Sequence, residues 1–226
     1  MPGVSIVIVA AGSGSRMGQG DKLFLDIAGL PLVGHTWRRC DLFPDVDEII
    51  LVIRDDARPL FEELAGRIEA QTPWRLVVGG AARQDSVWNG VNATDAGSEI
   101  VAIQDGARPC LPLASAQLAV TAAREMGAAV MAKRLTDTLK RGDGQAQIAG
   151  TVDRENLWSV QTPQVFRREI ILAALAKVRA DGLSVTDDTA ACEVLGQAVR
   201  LIECDQPNPK ATTPADLPFI ESLLAE

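Results

Sequence analysis

Short, unbroken apolar runs alternate with helical patterns along the first 131 residues of this 226-residue chain. Such runs are typical of strands buried on both faces of a parallel sheet, whereas half-exposed strands alternate polar and apolar residues. We predict strands near residues 4–10, 49–53, 75–78, 99–103 and 128–131, and helices near 32–42, after Arg58-Pro59, and near 83–93 and 113–125. The pattern predicts an α/β fold with a doubly wound, mostly parallel sheet.

The alternation of apolar runs and helical patterns is interrupted at about residue 133. Residues 135–141 and 145–152 are typical of a β-hairpin, with a glycine turn at 142–144. An isolated hairpin is only marginally stable in water, so this arm, about residues 133–156, should pack on a partner subunit or the domain face. Downstream, we predict helices near 167–179, 187–195 and 214–225 and a strand near 198–202. We therefore expect a single domain over residues 1–226 that carries a protruding arm.

The first apolar run leads into a loop that is rich in glycine and cations, residues 9–24. Its glycines are Gly12, Gly14, Gly18 and Gly20, and its cations are Arg16 and Lys22. Glycine lets backbone N–H groups approach an anion closely, and both cations can bind phosphate. The spacing fits neither the P-loop nor the dinucleotide fingerprint. The loop is either an ordinary strand-to-helix connection or a phosphate site at the sheet edge, and its position favours the phosphate site.

Later loops also follow predicted strands and belong to the same sheet edge. Residues 79–86 begin with Gly79-Gly80 and include Ser86, so they either approach a base or ribose or simply begin a helix. Asp105 ends the fourth strand, where it is either a turn residue or a carboxylate that holds Mg²⁺ beside a triphosphate. Arg108 follows it and can bind phosphate with both ends of its guanidinium.

The second half of the chain offers fewer clear candidates. Thr138 and Arg154 flank the hairpin turn. Residues 185–189, which include Thr186 and Asp187, either cap a helix or contact a substrate. Lys210 lies between prolines, where a lysine is usually just exposed. The only histidine is His35, so no nucleophilic triad is credible, and cations with one or two carboxylates suit phosphoryl or nucleotidyl transfer.

The net charge of −8 argues against a general nucleic-acid or membrane-surface binder. The four cysteines show no zinc-type spacing, which predicts free thiols in a reducing compartment. No apolar stretch approaches the length of a membrane span, and the first residues lack a secretion signal. We expect a cytoplasmic protein with no nucleic-acid or membrane partner.

Taken together, the motifs resemble a known family. The segment Ala10 to Gly18 with Lys22 is similar to the signature loop of glycosyltransferase-A-like nucleotidyltransferases. The further motifs are Asp105-x-Ala107-Arg108-Pro109, Asp137-Thr138, Leu157-Trp158, Thr162-Pro163-Gln164, Thr186-Asp187-Asp188 and Lys210. In this order, over about residues 4–225, they resemble the 2-C-methyl-D-erythritol 4-phosphate cytidylyltransferases. That family joins CTP to methylerythritol phosphate and releases pyrophosphate.

The resemblance implies a role for each matching residue. Arg16, Lys22, Arg154 and Lys210 would be catalytic, the first two at the α-phosphate and the last two holding the acceptor. The nucleotide site would be formed by Ala10, Ala11, Gly12, Gly14, Gly80, Ser86, Asp105 and Gly106. Asp105 would lie at Mg²⁺, the expected cofactor, and Arg108, Thr138, Thr186 and Asp187 would line the acceptor site. The arm would clasp a second subunit in a homodimer.

The chain departs from the family pattern at three places. Gln104 stands where a histidine is usual, Asp21-Lys22-Leu23 replaces Pro-Lys-Gln, and Ala81 replaces an acidic residue. The alternatives are a ribitol 5-phosphate cytidylyltransferase, a nucleotide-sugar enzyme that uses another base, and a non-catalytic nucleotide-binding relative. The last would be expected to lose Arg16, Lys22, Asp105 or Lys210, and all four are present.

Overall fold

The computed structural model describes residues 3–12, 21–43 and 45–225. Within them the strands are β1 (Val4–Val9), β2 (Asp26–Ile27), β3 (Leu30–Pro31), β4 (Val46–Ile53), β5 (Trp74–Val78), β6 (Ile100–Asp105), β7 (Ala128–Arg134), β8 (Leu139–Gly142), β9 (Ile148–Val152), β10 (Trp158–Arg167) and β11 (Arg200–Glu203). The helices are α1 (Leu32–Asp41), α2 (Arg58–Ile68), α3 (Arg83–Asn92), α4 (Leu113–Met126), α5 (Arg168–Ala180), α6 (Asp188–Leu195) and α7 (Leu217–Leu224). Every element expected from the sequence is present, and β2, β3 and β10 are additional. None of these helices is long and apolar enough to cross a bilayer.

Seven of the described strands form one central sheet in the order β11-β7-β10-β6-β1-β4-β5. β1 is parallel to both of its neighbours, and the pairs β4–β5 and β7–β11 are parallel as well. β10 lies antiparallel between β6 and β7. The predicted fold class, a mostly parallel α/β sheet, is confirmed.

Apolar side chains pack on both faces of this sheet. Ile6 of β1 belongs to a cluster that also contains Trp37 of α1 and Phe61 of α2. Its neighbour Val7 belongs to the cluster on the opposite face, together with Val87 of α3. Because successive side chains of a strand point to opposite faces, a strand covered by helices on both sides is apolar at most positions. This is why the unbroken runs predicted the doubly wound architecture correctly.

β10 was not predicted because its sequence lacks a strand pattern. It contains Pro163 and the polar pair Gln161-Thr162, and a proline in mid-run argues against a strand. The ladder accommodates the proline because the pairing of β10 with β7 is irregular between Val160 and Gln164. The strand thus forms where tertiary contacts override local preference.

The predicted hairpin arm is present as β8 and β9, which form a two-stranded sheet of their own. Its turn differs from the expected glycine turn, since the residue with positive φ is Ala146, at 60°. The carboxylate of Asp143 accepts the backbone N–H groups of Gln145 (2.8 Å) and Gln147 (2.9 Å). An aspartate that binds the backbone ahead of it stabilises a turn without requiring glycine.

Candidate active site

The carboxyl ends of β1, β5 and β6 lie at one edge of the sheet, beside a cavity of about 360 Å³. The loops after these strands bring several predicted nucleotide residues together, and the cavity is lined by Ala11, Gly12, Gly80, Ser86, Asp105 and Gly106. Lys22 and Lys210 line the same cavity. The rule that ligands bind outside the carboxyl ends of parallel strands therefore located the cavity from the sequence.

One predicted nucleotide residue, Ala10, does not line this cavity. Ala10 is buried, and its backbone N–H donates to the carbonyl of Val52 at 2.8 Å. Gly14 and Arg16 lie outside the described residues. The roles of these three residues remain predictions.

Residues 79–86 combine the two alternatives that the sequence left open, because they line the cavity and also lead into α3. A Cβ on Gly79 would lie 2.5 Å from Ala11 Cβ and 2.8 Å from Ser86 Oγ, so only glycine fits there. The Ser86 hydroxyl accepts the backbone N–H of Gly80 (3.1 Å) and donates to the carbonyl of Ala82 (3.2 Å). Ser86 is 3% exposed and shapes the loop from inside.

Asp105 lies among three cations at the end of β6. Lys210 Nζ is 2.7 Å from Asp105 Oδ2, Arg83 Nη2 is 3.5 Å from Oδ1, and Arg108 Nε is 3.7 Å from Oδ2. Burial alone would raise the pKa of Asp105, but Lys210, Arg83 and Arg108 outweigh it and hold that pKa below its ordinary value. The carboxylate is therefore ionised at neutral pH.

The loop that carries Lys210 is tied to the body of the protein. Lys22 Nζ donates to the carbonyl of Ala211 at 3.1 Å, and the backbone N–H of Ala211 donates to the carbonyl of Ala107 at 2.9 Å. Asp21 in turn accepts the backbone N–H of Leu23 at 3.1 Å. Asp21 stands where the family pattern described above has proline, and its side chain holds the turn that presents Lys22.

A second cavity, of about 170 Å³, adjoins the first. Three residues line both: Arg83, Asp105 and Lys210. The second cavity also includes the predicted acceptor residues Arg108, Thr186 and Asp187. The two cavities thus share a charged boundary.

Asp187 also has the structural role that the sequence allowed for it. Its carboxylate accepts the backbone N–H of Ala190 (3.0 Å), the hydroxyl of Thr189 (2.8 Å) and the amide of Gln164 (2.9 Å). It therefore caps α6 while lining the second cavity, so the capping alternative is confirmed.

Sequence reasoning did not single out Arg83. It lies within the predicted loop, residues 79–86, where it begins α3, and it lines both cavities. The available signal was its place in that loop, because an acidic chain that binds phosphates must concentrate its few cations there.

Residues 4–226 match the family model described as IspD, 2-C-methyl-D-erythritol 4-phosphate cytidylyltransferase. The chain belongs to this family. A relative of that name from Geobacillus kaustophilus is 41% identical over 220 residues, which are 97% of this chain and 96% of the relative. A chloroplastic relative from Oryza sativa is 36% identical over 225 residues, covering 99% of this chain and 75% of the relative. The crystal structure of 4-diphosphocytidyl-2C-methyl-D-erythritol synthase from Anaerococcus prevotii is 30% identical, with a TM-score of 0.86 and coverage of 99% and 96%.

Membership of the IspD family makes this chain an enzyme, a CTP-dependent nucleotidyltransferase. It favours the methylerythritol phosphate acceptor over ribitol 5-phosphate, because the relatives above carry the methylerythritol name. It also disfavours the non-catalytic alternative.

The arm residues of this IspD family member lie apart from both cavities. Arg154 Nη1 is 3.5 Å from Thr138 Oγ1, so the two predicted acceptor residues are neighbours on the exposed arm. Neither lines the first or the second cavity. Their substrate contacts therefore remain predictions.

The described residues contain no group of three or more histidine, cysteine, aspartate or glutamate side chains that could hold a metal ion. Asp105 alone offers a carboxylate in the first cavity. Magnesium in nucleotide sites is commonly held by one or two carboxylates, with phosphate oxygens and water completing its coordination. Asp105 thus fits an ion that arrives with the triphosphate, and the donor set does not suit a metal held by protein alone.

Proposed function

We propose that this enzyme transfers the cytidylyl group of CTP to 2-C-methyl-D-erythritol 4-phosphate and releases pyrophosphate. The observation that carries the proposal is the charged boundary between the two cavities, in a chain of this family. The larger cavity would hold CTP, and the smaller one would hold the acceptor. Lys210 and Asp105 would lie where the two phosphates meet.

In this reaction an oxygen of the acceptor phosphate attacks the α-phosphorus of CTP. A P–O bond forms there, and the bond between the α-phosphorus and the bridging oxygen breaks as pyrophosphate leaves. The acceptor phosphate is largely a dianion at neutral pH, so the attack needs no general base. The task of the protein is to align two polyanions and to offset their repulsion.

The cations of the site suit this task. Lys22 lies in the first cavity and, together with Arg16, would stabilise charge that develops on the α-phosphate. Lys210 lines both cavities and would orient the acceptor phosphate. Asp105 would contact Mg²⁺ carried by the triphosphate, and the bound ion would offset part of the phosphate charge.

We further propose that the enzyme is a homodimer joined through the arm. The support is physical: the arm pairs only with itself among the described strands, and Ile148 on it is 70% exposed. A second subunit would stabilise the hairpin and could bring Arg154 and Thr138 of one arm to the other subunit's acceptor cavity.

The arm proposal is tested by replacing residues 139–152 with a short Gly-Ser linker. Sedimentation should show a dimer for the wild type and a monomer for the variant, and the KM for the acceptor should rise. A variant that sediments as the wild type does would refute the arm as the dimer contact.

The activity is tested by measuring pyrophosphate release with CTP and Mg²⁺ and either methylerythritol phosphate or ribitol 5-phosphate. We expect release with methylerythritol phosphate alone, and no release when ATP, GTP or UTP replaces CTP. Release only with ribitol 5-phosphate would keep the roles of the cations and change the acceptor. No release with either acceptor and any nucleotide would refute the proposed activity.

A further inference from the structure

Asp188 is the least exposed charged side chain in the described core, at 1%. It begins α6, and both of its carboxylate oxygens are bound by Arg83, Nη1 to Oδ1 and Nη2 to Oδ2, each at 2.9 Å. Burial raises the pKa of Asp188, and the guanidinium of Arg83 opposes that effect. A carboxylate in such a place would be unfavourable without this partner.

The backbone of Asp188 is itself held in place by a glutamine side chain. Its N–H donates to Gln164 Oε1 at 2.9 Å, and the amide of Gln164 donates to Asp187 at 2.9 Å. Asp187 in turn caps α6. The backbone of Asp188 is therefore anchored by contacts that do not involve Arg83.

Arg83 is the one member of this pair that reaches the cavities. Its side chain is 32% exposed, it lines both cavities, and Nη2 is 3.5 Å from Asp105 Oδ1. A guanidinium has five N–H donors, and the pair with Asp188 uses two of them. The remaining donors suit phosphate oxygens, which a planar guanidinium can bind with defined geometry.

A structural role alone does not account well for this pair. Buried ion pairs are often matched or exceeded in stability by apolar residues of similar volume, because both charges must leave water. A rigid carboxylate behind a partly exposed arginine does, however, fix where that arginine points. At the boundary of the two cavities, a fixed orientation of the Arg83 guanidinium would direct its free N–H groups at substrate phosphate.

We propose that Arg83 binds substrate phosphate at the boundary of the two cavities, and that Asp188 is a positioning residue that holds Arg83 in this orientation. The inference rests on the proposed cytidylyl transfer. It assigns Arg83 to the phosphates that approach each other during the reaction. Arg83 should therefore matter more for turnover than for the binding of either substrate alone.

The test compares Arg83→Gln, Asp188→Asn and the double variant in the pyrophosphate-release assay. Each single variant should lower kcat about 100-fold, the usual effect of removing one preorganised donor, with each KM within about threefold of the wild-type value. The double variant should be no slower than Arg83→Gln, because Asp188 acts only through Arg83. Glu99→Gln breaks a different ion pair, with Arg124, and should leave the kinetics unchanged.

Several outcomes would overturn the inference. Wild-type kcat in Asp188→Asn, or losses that multiply in the double variant, would show that Asp188 does not act through Arg83. If Asp188→Asn does not fold, Arg83→Lys replaces it, since an ammonium keeps the charge but lacks the fork, and wild-type kcat there would equally overturn it. Inactive wild-type enzyme with both acceptors would instead refute the proposed activity, so the two failures are distinct.

Discussion

Gly90 offers a sharp test of how α3 packs on the sheet. The residue is buried in the last turn of α3, facing β1 and β4. An added Cβ would lie 2.5 Å from Val7 Cγ1 and 2.6 Å from Val52 Cγ2. Both valines are fully buried in parallel strands, and their β-branched side chains have little rotamer freedom. Gly90→Ala must therefore displace α3 or the two strands.

The expected size of the effect follows from two opposing terms. Inserting a methyl group into a well-packed core costs about 1–3 kcal/mol. Alanine in place of glycine within a helix contributes about 1 kcal/mol in the other direction. Because both contacts fall below 3.0 Å, we expect a packing cost in the upper part of its range, about 2–3 kcal/mol. Gly90→Ala should therefore lower the free energy of unfolding by about 1–2 kcal/mol, which for a chain of this size lowers Tm by about 2–8 °C.

Gly66 provides the matched control because it lies on the exposed face of α2 and a Cβ there would meet no atom within 4 Å. Gly66→Ala should raise the free energy of unfolding by about 0.5–1 kcal/mol. Urea denaturation of both variants and the wild type, supported by thermal melts, measures the contrast. A Gly90→Ala protein as stable as the wild type, or more so, would refute the close packing of α3.

Three further predictions concern the site. Lys22→Ala and Lys210→Ala should each fold and lower kcat by about 10²–10³-fold, as expected for a lost preorganised charge contact; Lys177→Ala, on the surface of α5, should match the wild type in the same assay. The pairing of Asp105 stabilises the fold above its unfolded-state pKa, about 3.9, and that stability is lost as pH falls through its lower folded-state pKa. The Tm advantage of the wild type over Asp105→Asn should therefore shrink on acidification, and a constant difference down to pH 2 would contradict this. Asp187→Ala should cost about 1 kcal/mol by urea denaturation because it removes the cap of α6, whereas Asp187→Asn should retain most of it, and equal losses would argue against capping.

The sequence was a good guide wherever burial alone decides the structure. A strand covered on both faces is apolar at most positions, and such runs indicated the parallel part of the sheet. The carboxyl ends of those strands had to share an edge, so Gly12, Gly80 and Asp105 could be placed together without coordinates.

Lys210 shows where local reasoning is insufficient. A lysine between prolines suggests an exposed loop, and only the family resemblance selected it. The loop is held by the N–H of Ala211 on the carbonyl of Ala107, and by Lys22 on the carbonyl of Ala211. These contacts join distant parts of the chain, so no pattern within the loop could have revealed them.

β10 is a second element that local sequence patterns did not reveal, and its contacts indicate why. Thr162 Oγ1 accepts the backbone N–H of Asp105 at 3.1 Å, and two residues later Gln164 Oε1 accepts the N–H of Asp188 at 2.9 Å. One strand therefore anchors the backbone of both aspartates that pair with Arg83. The proposed transfer uses no general base and depends on alignment, so these polar residues would serve the site although they do not favour a strand. Sequence patterns do not identify β10 because its polar residues are chosen for their contacts with Asp105 and Asp188, and such residues do not produce a strand pattern.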